Sequence, residues 1–77
     1  MRYYAVRTDK KKLKGAKLTA LDKTILDGCG DTGLNFTKVL KAGKPFINQF
    51  GKREFATTED ILVSIRKLQK LELLERR

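Results

Sequence analysis

Apolar residues recur along this chain at more than one spacing, and each spacing predicts a different element. In "RYYAVR" (Arg2–Arg7), Tyr3 and Ala5 alternate with Tyr4 and Val6. That period of two, in aromatic and β-branched residues, predicts a short strand. "TDKKKLKGAK" (Thr8–Lys17) has one large apolar residue, Leu13, and reads as a loop or flexible basic arm. In "LTALDKTILDGCGDTG" (Leu18–Gly33), Leu18, Leu21 and Ile25 fall on one helical face. Thr19 and Asp22 have capping-box spacing, and Gly28, Gly30 and Gly33 close the segment. Asp22 and Asp27 flank Lys23 as an expected solvated face. "LNFTKVLKAG" (Leu34–Gly43) predicts a second helix capped by Asn35. Its buried stripe is Phe36, Val39 and Leu40, with Lys38 and Lys41 opposite and Gly43 suited to a left-handed stop.

"KPFINQFGKREFATT" (Lys44–Thr58) supports two elements. Phe46, Ile47 and Phe50 stand at i, i+1, i+4, which favours a short helix opened by Pro45. Alternatively "FINQF" and "REFAT" pair as a hairpin across Gly51-Lys52, with Lys52 and Arg53 at an exposed basic tip.

"TTEDILVSIRKLQKLELLERR" (Thr57–Arg77) predicts the longest helix, started by a Thr57/Asp60 capping box. At about 100° per residue, Ile61, Ile65 and Leu68 share an inner face, and Arg66, Lys67 and Lys70 an outer one. Extending that helix would put Glu72 in the apolar stripe and Leu74 beside Lys67. A coiled coil needs an apolar residue where Glu72 stands. The helix is therefore expected to end near Lys70 or Leu71, with an extended segment after it. That segment, Leu71–Glu75, and the strand Arg2–Arg7 both lack another partner, so they are expected to pair and close a small sheet.

The bulk numbers add limits. Seventy-seven residues make one domain with a small core, and 40% apolar content suffices for it. The chain has one cysteine, Cys29, and no histidine. A structural zinc site and the common nucleophile–base pairs are therefore not expected. Cys29 reads as a small buried residue at a helix end. "GCGDTG" (Gly28–Gly33) lacks the Lys-Ser/Thr that a phosphate loop carries. No enzyme activity and no cofactor are expected. No apolar run nears the roughly 18 residues of a membrane span, and the N-terminus has no signal-peptide core, so the expected location is cytoplasmic.

Net charge is +9, unevenly spread. Residues 1–17 carry seven Lys/Arg against one Asp, and residues 36–55 five against one Glu. An excess of this kind favours polyanions.

The run Lys70-Leu71-Glu72-Leu73-Leu74-Glu75-Arg76, preceded by "LVSIRKLQ", resembles the third helix and following strand of winged helix-turn-helix DNA-binding proteins. The upstream segments Leu18–Asp27 and Asn35–Ala42 fit that family's first and second helices. The resemblance implies a mainly α domain with a small β component, three helices and short N- and C-terminal strands. It also implies a DNA-binding regulator or architectural factor, nucleoid-associated, whose third helix meets the major groove.

The candidate nucleic-acid contacts are Arg66, Lys67 and Lys70 on the third helix, Lys52 and Arg53, and Lys10, Lys11, Lys12, Lys14 and Lys17 on the arm. Most of these would position a backbone rather than read bases. Duplex DNA is expected ahead of RNA. The RNA reading would use Tyr3, Tyr4 and Phe55 as stacking surfaces if they are exposed, against the competing use of the same aromatics as core. A third reading is a small inhibitor or adaptor contacting a protein, or a homodimer, through Leu71, Leu73 and Leu74.

Overall fold

The computed structural model describes residues 1–6, 11, 15, 17–30 and 32–77, so Lys10, Lys12 and Lys14 of the expected arm lie outside the described residues. The elements run β1 (Tyr3–Ala5), α1 (Ala20–Cys29), α2 (Phe36–Gly43), β2 (Pro45–Ile47), β3 (Arg53–Phe55), α3 (Thr58–Lys70) and β4 (Leu74–Arg76). Among the described residues this makes three helices and four short strands, the strands in two antiparallel pairs, β1–β4 and β2–β3.

Each helix begins where its capping residues place it. Thr19 Oγ1 accepts from the Asp22 N–H at 3.2 Å, and Asp22 Oδ2 accepts from the Thr19 N–H at 3.0 Å. Thr57 and Asp60 repeat the reciprocal pair at 3.1 Å in both directions. Asn35 Oδ1 accepts from the Lys38 N–H at 2.9 Å. These bonds occupy backbone donors that a helix start otherwise leaves orphaned.

The core is one cluster. Ile25 and Cys29 of α1, Val39 of α2 and Ile61, Ile65 and Leu68 of α3 meet Tyr3, Ala56, Leu73 and Leu74. Leu18, Leu21, Leu34, Leu40 and Phe46 pack at its edge. Phe36, expected in the buried stripe of α2, keeps 38% of its surface exposed. Small residues let the helices approach. A Cβ on Gly28 would stand 3.3 Å from Ala42 Cβ, and one on Gly43 would stand 3.0 Å from Ile61 Cγ1. Gly43 is thus a packing residue at the end of α2 and not a left-handed stop. Left-handed or otherwise positive φ is taken by Gly30, Gly33 and Gly51 among the glycines.

The end of α3 answers the question set by Glu72. Leu73 N–H donates to Leu68 O at 2.9 Å and Glu72 N–H to Gln69 O at 3.0 Å. This is the Schellman arrangement, with Leu68 and Leu73 as its buried apolar contact. Glu72 occupies the left-handed position, φ 60°, where glycine is usual. The chain then enters β4, so the extended segment expected over Leu71–Glu75 begins only at Leu74 and runs to Arg76.

β4 pairs with β1, with Tyr3 opposite Arg76, Tyr4 opposite Glu75 and Ala5 opposite Leu74. Bonds from Arg2 to Arg77 and from Val6 to Leu73 extend the ladder at each end. The other edge of β1 is filled by the α1–α2 loop. Tyr3 and Leu34 exchange bonds at 2.8 and 3.0 Å, and Ala5 N–H donates to Gly30 O at 3.0 Å. β1 is therefore the middle of the sheet, although it starts the chain.

Residues 45–55 form a hairpin and not the favoured short helix, with Pro45 opposite Phe55, Phe46 opposite Glu54 and Ile47 opposite Arg53. The turn is Asn48–Gly51, two residues earlier than the Phe50–Arg53 turn that a hairpin across Gly51-Lys52 requires. Gly51 N–H donates to Asn48 O at 3.0 Å, and Asn48 Oδ1 accepts from the N–H groups of Phe50 and Lys52 at 2.9 and 3.0 Å. Gly51 supplies the positive φ, 76°, that such a loop needs after its turn. Helical spacing of Phe46, Ile47 and Phe50 misleads because only Phe46 faces the core. Ile47 is 59% and Phe50 77% exposed.

Two substitutions test this backbone account by urea denaturation. Gly33→Ala costs about 2–4 kcal/mol, because φ is 78° and the new Cβ would stand 2.5 Å from Tyr4 Cε1. Gly51→Ala, with open space around it, costs only about 1 kcal/mol of backbone strain. Equal losses at the two glycines would contradict it.

Candidate nucleic-acid interface

The described cations among those named from the sequence differ in exposure and in partners. On α3, Arg66 and Lys70 are exposed, as the helical wheel requires. Lys67 is committed elsewhere. Its Nζ lies 2.7 Å from Asp22 Oδ2 and 3.3 Å from the Lys17 carbonyl. Asp22 is 2% exposed, so the expected solvated acid on α1 is instead buried between helices. Its other oxygen, Oδ1, accepts a hydrogen bond from the Ser64 hydroxyl. Ser64 and Lys67 stand one turn apart on α3 and so reach the same carboxylate.

Burial alone would push the Asp22 carboxyl upward in pKa. The hydrogen bonds from Lys67, Ser64 and the Thr19 backbone, with the Lys67 charge, outweigh it and hold the carboxyl below its ordinary value. A buried acid with its acceptor sites occupied is a clamp between α1 and α3. It removes Lys67 from the set of free cations and leaves Arg66 and Lys70 as the α3 contribution.

Lys52 and Arg53 are where the hairpin alternative put them, in solvent beside the turn. Lys44, at the foot of β2, is exposed too, and Lys38, Lys41 and Lys44 follow one another at three-residue steps from α2 into the hairpin. No acid occurs from Pro45 to Arg53. The apolar part of this surface is not marked in the residue pattern, which counts these residues as core. Ile47 is 59%, Phe50 77% and Phe55 75% exposed. Strand alternation sets Pro45, Ile47, Arg53 and Phe55 on one face of the ribbon and Phe46 and Glu54 on the other. The ribbon borders a groove of about 920 Å³ against α1 and α3, lined by Phe46, Phe50 and Phe55 of the hairpin and by Asp22, Ser64 and Lys67 of the helices. Asn48 and Gly51, three residues apart, were the available turn signal, overlooked because the apolar spacing fitted a helix.

The remaining candidates divide. Lys11 and Lys17 are exposed. Tyr3 is buried, and half-buried Tyr4 carries the Arg77 guanidinium 5.2 Å from its ring centre. Of the three aromatics considered for stacking, Phe55 alone stands fully in solvent. Leu73 and Leu74, which a C-terminal protein contact or dimer would use, are 1% and 3% exposed and belong to the core. Cys29 is fully buried and its thiol is pushed up to about 11 by that burial. It is packing, not a reactive group.

Among the described residues, no helix is long and apolar enough to cross a membrane. No family model, curated protein or solved structure matches the chain.

The clamp predicts an acid signature. Because the folded-state pKa of Asp22 lies below its unfolded value, its stabilisation is complete above about pH 4 and is lost as pH falls through the folded value. Asp22→Asn should lower stability near pH 7 by about 2 kcal/mol and flatten the acid limb of the stability–pH curve. Denaturant titrations from pH 7 downward check this; an unchanged acid limb would show that Asp22 contributes nothing to it.

Proposed function

We propose that this chain is a small basic nucleic-acid-binding protein that acts on duplex DNA as a transcriptional regulator or an architectural factor. The observation that carries the reading is the β2–β3 ribbon: Lys52 and Arg53 follow directly on its turn and stand in solvent, with Lys44 at its foot and no acid between Pro45 and Arg53. A two-stranded ribbon can bring its turn to a DNA groove, and its cations supply phosphate contacts. Lys38 and Lys41 of α2, with Arg66 and Lys70 of α3, extend the basic surface on either side in sequence.

The winged-helix resemblance enters this proposal in altered form. In that family the third helix enters the groove and its strand begins the wing. Here the strand after α3 is occupied with β1, and the ribbon lies between α2 and α3. The contact is therefore assigned to the ribbon first and to the outer face of α3 second.

RNA is the second reading, favoured by one specific observation. Phe50 and Phe55 stand 77% and 75% exposed, as stacking surfaces for unpaired bases would. Gel-shift competition among duplex DNA, single-stranded DNA and RNA separates the two.

Binding to duplex DNA should weaken linearly in a log–log plot against salt, and replacing Lys52 and Arg53 together by Gln should reduce that slope by about 2, one for each lost phosphate contact. Fluorescence anisotropy over a salt series measures both. A flat salt response removes the nucleic-acid reading.

A further inference from the structure

Two phenylalanines and an isoleucine in solvent are costly in so small a protein. Each forgoes the stabilisation that removing its apolar surface from water would give. The chain has four phenylalanines, and Phe50 at the tip of the ribbon and Phe55 at its foot are the most exposed of the four. Phe50 is the more unusual because it occupies the turn itself, where a polar residue would serve the turn equally well.

Phe50 is also held in place. Its N–H donates to Asn48 Oδ1, whose other bond fixes Lys52, and the Asn48 N–H donates to Lys52 O at 2.8 Å. The tip therefore carries a ring that is 77% exposed on a tethered backbone, at the tip end of the groove that the ribbon forms with α1 and α3. Gln49, exposed, precedes it, and Lys52 and Arg53 follow. This is an apolar residue flanked by an amide and by cations. Proteins that enter the minor groove use that combination: amides and cations for the floor and walls, and an apolar wedge that separates neighbouring base pairs.

Resting on the duplex-DNA reading above, we propose that the tip of the β2–β3 hairpin is an insertion wedge. Phe50 enters a base-pair step from the minor groove, Gln49 meets the base edges there, and Lys52 and Arg53 hold the adjacent phosphates. The minor groove is about 6 Å wide, so the turn enters while the strands stay outside. Unstacking one step bends the duplex toward the major groove. Ile47, on the outer face with Arg53, then meets the sugar edges that the bend brings close. The bend is cheapest at a flexible pyrimidine–purine step, so the wedge selects sites by deformability.

The test uses the full chain and a duplex carrying end-placed donor and acceptor dyes, with 2-aminopurine at a central TA step. Wild-type protein should shorten the dye separation and brighten the 2-aminopurine. Phe50→Ala should lose both signals and weaken binding on the order of tenfold while keeping the salt slope. Lys52→Gln should keep both signals at saturation and lower the slope by about 1. Phe50 is mostly in solvent, and the thermal unfolding of the Phe50→Ala variant should match the wild type, which separates lost insertion from lost fold. Salt-dependent binding without bending, or bending that survives Phe50→Ala, overturns the wedge and leaves the nucleic-acid reading standing. Phe50-dependent binding that prefers single strands overturns it in favour of a stacking platform. Absence of binding to any nucleic acid at low salt overturns both.

Discussion

The structure depends on one buried carboxylate. Asp22 closes the first turn of α1 through Thr19 and accepts from Ser64 and Lys67 of α3. One side chain thus starts a helix and ties it to another more than forty residues away. A carboxylate taken out of water is tolerable only when its lone pairs are occupied, and here they are. The arrangement is directional as well as stabilising. Ser64 and Lys67 must face α1, which fixes the rotation of α3 about its axis. Ile61, Ile65 and Leu68 then turn into the core and Arg66 and Lys70 into solvent.

What could be read from the chain was local. Caps at Thr19, Asn35 and Thr57 follow from side chains that bond backbone groups two or three residues on, and all three are present. The end of α3 was legible because Glu72 conflicts with an apolar stripe, although the stop is a Schellman turn built on a glutamate. Pairing of β1 with β4 followed from two short segments that had no other partner. Three features were not legible. The fate of Lys67 depends on Asp22, distant in sequence, so a helical wheel counts a cation that is already neutralised. Gly43 looked like a stop because its steric role belongs to Ile61. The ribbon was misread because Ile47 and Phe50 count as core in any periodicity argument, yet the fold leaves them outside.

That last error points at the function proposed. Sequence patterns assume apolar residues are buried, so they fail where a protein keeps such residues for a partner. The cations around the ribbon were visible from composition alone. The phenylalanines became informative only once their exposure was known. Charge accounts for attraction to a polyanion and for its sensitivity to salt, whereas exposed rings account for contact with bases. The two kinds of residue lie in one short stretch, Lys44–Phe55, and on one supersecondary unit.

The middle position of β1 has a consequence for how the chain reaches this state. Its three residues bond on one side to a loop some thirty residues away and on the other to a strand beginning at Leu74. The helices and the ribbon are built from local contacts and can form early. The sheet cannot, because it joins the two ends of the described chain and must first overcome the entropy of closing that loop. During synthesis β1 emerges first and waits longest, until residue 76 has cleared the ribosome. Through that interval its backbone donors and acceptors are open, and Leu73 and Leu74 have not yet arrived to cover Tyr3. The segment that holds the sheet together is thus the one exposed longest to chaperones and to mispairing with another copy.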